Sequence, residues 1–138
     1  MYATRQAMID RYGEPELIQL TDRTRTGAID DTVLDQAIAD AGHEIDGYLA
    51  VRFALPLSHT PPVLTRAACD IARYRLYDDA SPDEVRNRYT DAVKWLAAIA
   101  RGFVSLGMPP AEAPSSSGAA VLISGDARKF SRTTLEDY

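Results

Sequence analysis

The chain has 138 residues, 20 acidic and 15 basic side chains, a formal net charge of −5 and 46% hydrophobic residues. That composition supports one domain with a real core and excludes disorder throughout. No apolar run reaches the length of about 18 residues that a membrane span needs. The start, MYATRQAMIDRYG, lacks the apolar stretch of a secretory signal. An acidic balance disfavours a sequence-reading DNA binder, which carries a basic footprint.

In chain order, the first elements read as helices. Thr4 is placed to cap TRQAMIDRY, with Met8, Ile9 and Tyr12 as its apolar stripe and Gly13 as its stop. Pro15 then sits in the first turn of a short helix with Leu17 and Leu20 turned inward.

The stretch that follows, Thr21 to Asp31, has the outline of a calcium loop. Asp22, Thr24, Thr26 and Asp30 fall near ligand positions, and Gly27 stands where a sharp turn is needed. The ligand chemistry is wrong, however. Counting from Asp22, Val33 occupies the closing position that requires a bidentate Glu, and Arg23 and Arg25 bring positive charge into the loop. The residues fit better as a tight turn at Gly27, followed by Asp30 or Asp31 as a helix cap.

From Asp31 to about Phe53, the residues Leu34, Ala37, Ile38, Ala41, Ile45, Tyr48 and Leu49 recur at helical spacing. Gly42 and Gly47 interrupt that helix, each at a cost of about 1 kcal/mol relative to Ala, and close helix approach is one reason to keep them. LPLSHTPP breaks the pattern. Thr60 and Pro61 then read as cap and first turn of a helix whose inner face is Leu64, Ala67, Ala68, Ile71 and Tyr74. Ser81-Pro82-Asp83-Glu84 has the form of a capping box, opening a helix with Val85, Tyr89, Ala92, Val93, Leu96 and Ile99 inward and an end near Gly102 or Gly107. Trp95 fits either a core edge or an interface.

After Met108 the composition changes. Residues 109–118, PPAEAPSSSG, read as a linker. AVLIS is a candidate short strand, and ARKFSRTTLEDY ends the chain. The expected organisation is an all-α, compact bundle of about four to five helices over 1–108, the linker 109–118, and an extended C-terminal tail 119–138. A lone strand needs partners, so the tail is expected to dock on another chain. Phe130, Leu135 and Tyr138 are its apolar anchors, and Arg128 and Arg132 can pair with carboxylates.

The chemistry of catalysis and metals is not prominent. Cys69, the one cysteine, lies in a helix-forming apolar run and reads as a small buried hydrophobe. It permits no internal disulfide, which fits folding inside a cell. His43 and His59 are far apart, and HEID lacks the second His of H-E-x-x-H, because Gly47 takes its place. No P-loop, G-x-G-x-x-G or G-x-S-x-G occurs. The expectation is a non-enzyme with no metal and no cofactor. Lys94 and Lys129 are the only lysines among the basic residues. Arg suits planar ion pairs at interfaces, and a genome rich in Arg codons gives the same bias.

Several segments resemble a family from Mu-like phages and prophages, long catalogued as a domain of unknown function. The segments are YAT, RYG, LIQLTDR, AID, EIDGYLAVRFALPL, CDIARYRLY and RKFSRTTL, and the resemblance covers most of the chain except the Pro/Ser linker. Members often carry more acidic residues where this chain has Thr24 and Thr26. The resemblance implies a head–tail connector, or adaptor, similar to the all-helical completion proteins of other long-tailed phages. It implies a ring-shaped homo-oligomer, twelve-fold by that likeness, under the portal protein and above a tail-side completion or terminator protein. DNA would pass through as non-specific cargo, and the protein would be made in the host cytoplasm and end in the virion. Two other classes remain: a small helical DNA-packaging or regulatory protein, which requires a basic patch that the linear charge pattern does not show, and a degenerate calcium-binding module.

Overall fold

The computed structural model describes residues 1–111. Five α-helices follow one another: α1 (Arg5–Tyr12), α2 (Glu14–Thr21), α3 (Asp31–Leu49), α4 (Pro62–Leu76) and α5 (Asp83–Ala100), with a single 3₁₀ turn, Asp78–Ala80, between the last two. The fold is an all-α bundle, and the described residues contain no strand. The candidate strand AVLIS and the tail anchors Arg128, Phe130, Arg132, Leu135 and Tyr138 lie outside the described residues.

The long helices α3, α4 and α5 pack together, and the short α1–α2 pair lies across α3 and α4. The helical stripes of the sequence account for this. Leu34, Ile38, Ile45 and Leu49 of α3, Leu64 and Ile71 of α4, and Leu96 and Ile99 of α5 are all at most 2% exposed. Burying each such side chain contributes about 1.5–3 kcal/mol. Met8 and Leu17 bring α1 and α2 onto the same core, and both are fully buried.

The element ends follow local chemistry. Thr4 accepts a hydrogen bond from the Ala7 N–H at 3.1 Å and caps α1. Gly13, at φ 87°, turns the chain left-handed between α1 and α2, a conformation that suits glycine. Asp30, and not Asp31, caps α3, accepting from the N–H groups of Thr32 at 3.0 Å and Val33 at 3.3 Å.

The sequence pattern misplaces three other boundaries. α3 ends at Leu49, not near Phe53. The chain makes one further loose turn that still buries Phe53, at 8% exposure, but leaves Val51 68% exposed, and Leu55 ahead of Pro56 is driven out of the helical region. Thr60 is not the cap of α4: Pro61 is extended, at φ −59° and ψ 143°, and occupies that position with no side-chain bond. A proline holds its predecessor extended, so Pro62 delays the helix by one residue and leaves Thr60 outside. Pro82 is likewise extended at ψ 156° and stands at the cap of α5, so Ser81 lies one position too early for its hydroxyl to cap.

Candidate interaction surface

Asp22 is engaged inside its own loop. One carboxylate oxygen accepts from the Thr26 N–H at 2.8 Å and the Thr26 hydroxyl at 3.1 Å, and the other accepts from the Gly27 N–H at 2.7 Å. The Thr26 and Gly27 N–H groups hold the Asp22 pKa below the usual carboxylate value. Thr21, fully buried, donates to the Leu17 carbonyl at 2.7 Å and accepts from the Asp30 N–H at 3.0 Å, which closes the loop at its base. With Asp30 capping α3, the loop is a turn and helix entry. Among the described residues, no group of three or more His, Cys, Asp or Glu is gathered to hold a metal.

Four tyrosines each donate a hydroxyl to a carboxylate far away in sequence. Tyr2 bonds Asp46, Tyr12 bonds Asp70 at 2.7 Å, Tyr77 bonds Glu16 at 2.8 Å and Tyr89 bonds Glu44 at 2.9 Å. Arginines reinforce three of these contacts. Arg73 pairs with Glu16 at 2.8 Å and lies over the Tyr12 ring, 4.5 Å from its centre. Arg75 pairs with Glu44 at 2.6 Å. The Tyr74 and Tyr89 rings stack at 4.1 Å, tying α4 to α5 beside Glu44.

These latches shift the phenols in one direction. Burial first, and the carboxylate bond second, raise the Tyr2 and Tyr12 pKa values well above the ordinary phenol. The same causes raise Tyr77 and push Tyr89 up to about 12. Burial pushes the Cys69 thiol up to about 11, as befits a fully buried side chain and not a nucleophile.

Apart from Glu16 and Tyr89, the latch residues fall inside the segments YAT, RYG, EIDGY and CDIARYRLY. These segments therefore carry the links between helices, which explains their chemistry without a catalytic role. The sequence pattern registers them as motifs but cannot show which tyrosine meets which carboxylate.

The exposed apolar surface is concentrated differently. Among the described residues the large hydrophobic side chains left in solvent are Met1, Val51, Val63 and Phe103. Val51 follows α3 and Phe103 follows α5, and these two helices finish side by side. The Arg52 guanidinium lies against Gly102, and the Arg52 carbonyl accepts from the Ala111 N–H at 2.7 Å. The chain thus leaves the body at this end face.

Val63 begins α4 and lines a groove of about 270 Å³ against α5, together with Arg66, Ala67, Arg88, Asp91 and Trp95. Trp95 is half-buried there, at the edge of the core. A second cleft, of about 540 Å³, lies between Met1, Tyr2, the Gly42–Asp46 stretch of α3 and the Leu55–Leu57 segment.

The segments that meet at this end are poor in carboxylates, with Asp70 and Asp91, which line the groove beside Arg66, flanking them. Residues 48–69 and 92–111 contain Arg52, Arg66, Lys94 and Arg101 and not one Asp or Glu. In a chain of net charge −5, this leaves a locally basic, apolar surface on an acidic body. It was readable in the sequence as two carboxylate-free stretches, but only the meeting of the α3 and α5 ends makes them a face.

The family model described as "Bacteriophage Mu, Gp36" matches residues 2–124. The chain belongs to this family. It is 38% identical over 133 residues to "Gene product J" of Escherichia phage Mu, an alignment covering 95% of this chain and 94% of that protein. It is 37% identical over 108 residues to "Mu-like prophage FluMu protein gp36" of Haemophilus influenzae (strain ATCC 51907 / DSM 11121 / KW20 / Rd), covering 78% and 77% respectively. The resemblance to Mu-like phage proteins is thereby shown, and the chain is a phage-type protein. No helix among the described residues is long and apolar enough to cross a membrane.

Proposed function

We propose that this member of the Gp36 family is a structural head–tail connector subunit. It forms a ring, twelve-fold by resemblance, below the portal protein and joins the head to the tail-side completion or terminator protein around the DNA. The observation that carries this reading is the one-ended surface: a latched helical body holds Val51 and Phe103 in solvent at the face from which the chain leaves toward its tail. Exposed apolar patches on small folded domains mark contacts with other proteins. An assembly subunit needs such a patch, and a rigid body behind it.

The tail 119–138 is the docking element in this reading, with Arg128, Phe130, Arg132, Leu135 and Tyr138 contacting a neighbouring subunit or the portal. The role is structural and not catalytic, and the site of action is the virion. Net charge −5 suits a wall along which like-charged DNA slides without being gripped.

The test is an induced Mu-like prophage lacking this chain, viewed by electron microscopy. DNA-filled heads and separate, complete tails are expected, and the purified protein should restore joining. Empty heads with normal tails would instead favour a packaging role. Duplex binding at physiological salt should be weak and independent of sequence. A tight sequence-specific footprint would overturn the connector reading in favour of a regulatory one.

A further inference from the structure

The end face of the body and the last residues of the tail are chemically complementary. The face combines Val51 and Phe103, 68% and 80% exposed, with Lys94, Arg101 and Arg52. Lys94 and Arg101 are exposed, stand two turns apart on α5 and so share one side of it. Neither makes an ion pair with any other described residue. No carboxylate occurs in the two stretches that build the face, 48–69 and 92–111. The face therefore calls for a ligand that is apolar and acidic at once. Residues 135–138, Leu-Glu-Asp-Tyr, have that character: Leu135 and Tyr138 offer apolar contact, and Glu136 and Asp137 offer two adjacent carboxylates.

We propose that Leu135–Tyr138 of one copy docks on the basic end face of the next copy, so that each ring subunit is tied to its neighbour by an exchanged tail. This deepens the connector reading and rests on it. It selects the neighbouring subunit, not the portal, as the receiver of this segment.

Reach permits the neighbour, and the direction of departure favours it over the same copy. The chain departs from the end face itself, where Ala111 is bound to Arg52. Pro109 and Pro110 fix their own φ values and donate no N–H, so they disfavour a tight return at that point. Residues 112–134, which join Ala111 to the docking segment, span up to roughly 76 Å when extended, at about 3.3 Å per residue. That exceeds the length of α3, the longest helix, at about 28 Å for a rise of 1.5 Å per residue. A segment that begins on one end face can thus reach the equivalent face one body away. Repeated around a ring, the same head-to-tail contact closes on itself.

Two full-length variants test this by charge exchange. The face variant is Lys94→Glu with Arg101→Glu, and the tail variant is Glu136→Arg with Asp137→Arg. All are compared with the unaltered protein by sedimentation velocity at low salt. The unaltered protein should assemble, and each variant alone should associate at least about tenfold more weakly, because each brings like charges together. An equimolar mixture of the two should regain assembly, since every contact is then between opposite charges. Circular dichroism should match across all chains, because Lys94 and Arg101 are exposed and the tail substitutions exchange charge only.

Assembly of either variant as well as the unaltered protein would overturn the proposal, as would a mixture that stays monomeric. A monomeric unaltered protein whose tail cross-links to its own face would overturn it in favour of docking within one chain. Rings that form and ignore these charges would refute this contact and leave the connector reading intact. Heads that join tails without this chain would refute the connector reading itself.

Discussion

The Tyr12 hydroxyl donates to the Asp70 carboxylate at 2.7 Å, joining α1 to α4 across 58 positions of sequence. Asp70 is only 7% exposed, so the phenol satisfies a charge that has little access to water. Removing the donor leaves that carboxylate under-bonded. Tyr12→Phe should cost about 1–3 kcal/mol in urea denaturation. A double-mutant cycle with Asp70→Asn should show coupling of about 0.5–3 kcal/mol. Additive single effects would mean that the bond carries no stability of its own.

The Asp22–Asp30 loop makes a different prediction. Its carboxylates are committed to N–H groups, Asp22 within the loop and Asp30 at the start of α3. Asp30→Ala should cost about 1 kcal/mol, the ordinary value of a lost cap, and Asp31→Ala should cost clearly less. Calorimetric titration should find no calcium affinity tighter than millimolar. Micromolar binding that disappears in Asp22→Ala would restore the calcium reading.

The helix boundaries and the latches show where sequence reading reaches and where it stops. Periodicity located α3, α4 and α5 because each buries a stripe at 3.6-residue spacing, whereas the short α1 and α2, which bury only Met8 and Leu17 with Thr21, were marked by the Thr4 cap, the Gly13 stop and Pro15; all of these signals are local. Thr60 failed as a cap because Pro62 holds Pro61 extended and delays the helix by one residue, a backbone effect that the capping pattern does not contain; α5 also starts one residue later than the capping box places it, with Pro82 extended at the cap in place of Ser81. Tyr2–Asp46 and Tyr89–Glu44 could not be paired in advance, because nothing in a linear sequence states which exposed-looking tyrosine crosses to which carboxylate. The proposed tail anchors are legible only as composition and lie beyond residue 111.

Gly47 offers a test of that limit. Its position inside α3 suggested a packing reason, yet a methyl group added there would meet nothing within 4 Å, and one added at Gly42 would touch the Tyr2 ring at an ordinary 3.9 Å. Neither glycine is required by close helix approach. Gly47→Ala should therefore stabilise the fold by about 0.5–1 kcal/mol through reduced freedom of the unfolded chain. A loss of stability on thermal denaturation would point to a contact made outside this body.

Tyr89 sets an alkaline limit. Burial and the Glu44 bond push its pKa up to about 12, against about 10 for an unfolded tyrosine. The folded state thus favours the neutral phenol. Its contribution is fully present below about pH 10 and is lost as the pH rises through about 12. Urea midpoints measured from pH 9 to 12 should fall across that window, and Tyr89→Phe should flatten part of the fall while leaving the neutral-pH dependence unchanged. An identical alkaline profile in the variant would show that Tyr89 titrates alike in both states.

The last prediction concerns where the body ends. Composition places the boundary at Met108, but the Ala111 N–H donates to the Arg52 carbonyl at 2.7 Å, and Met108 itself is half-buried against the core. Residues 109–111 therefore still belong to the body by hydrogen bonding. The bond closes the chain over the loose turn that follows α3, next to Gly102, whose left-handed φ of 82° lets the backbone pass beneath the Arg52 guanidinium. A chain ending at Ala111 should keep full helical circular dichroism and a cooperative melt. One ending at Met108 should lose about 0.5–1.5 kcal/mol relative to it, the net value of one hydrogen bond, with weaker protection of the 50–53 turn in amide exchange. Equal stability of the two would return the boundary to Met108, and a molten chain at either length would show that residues beyond 111 are part of the fold.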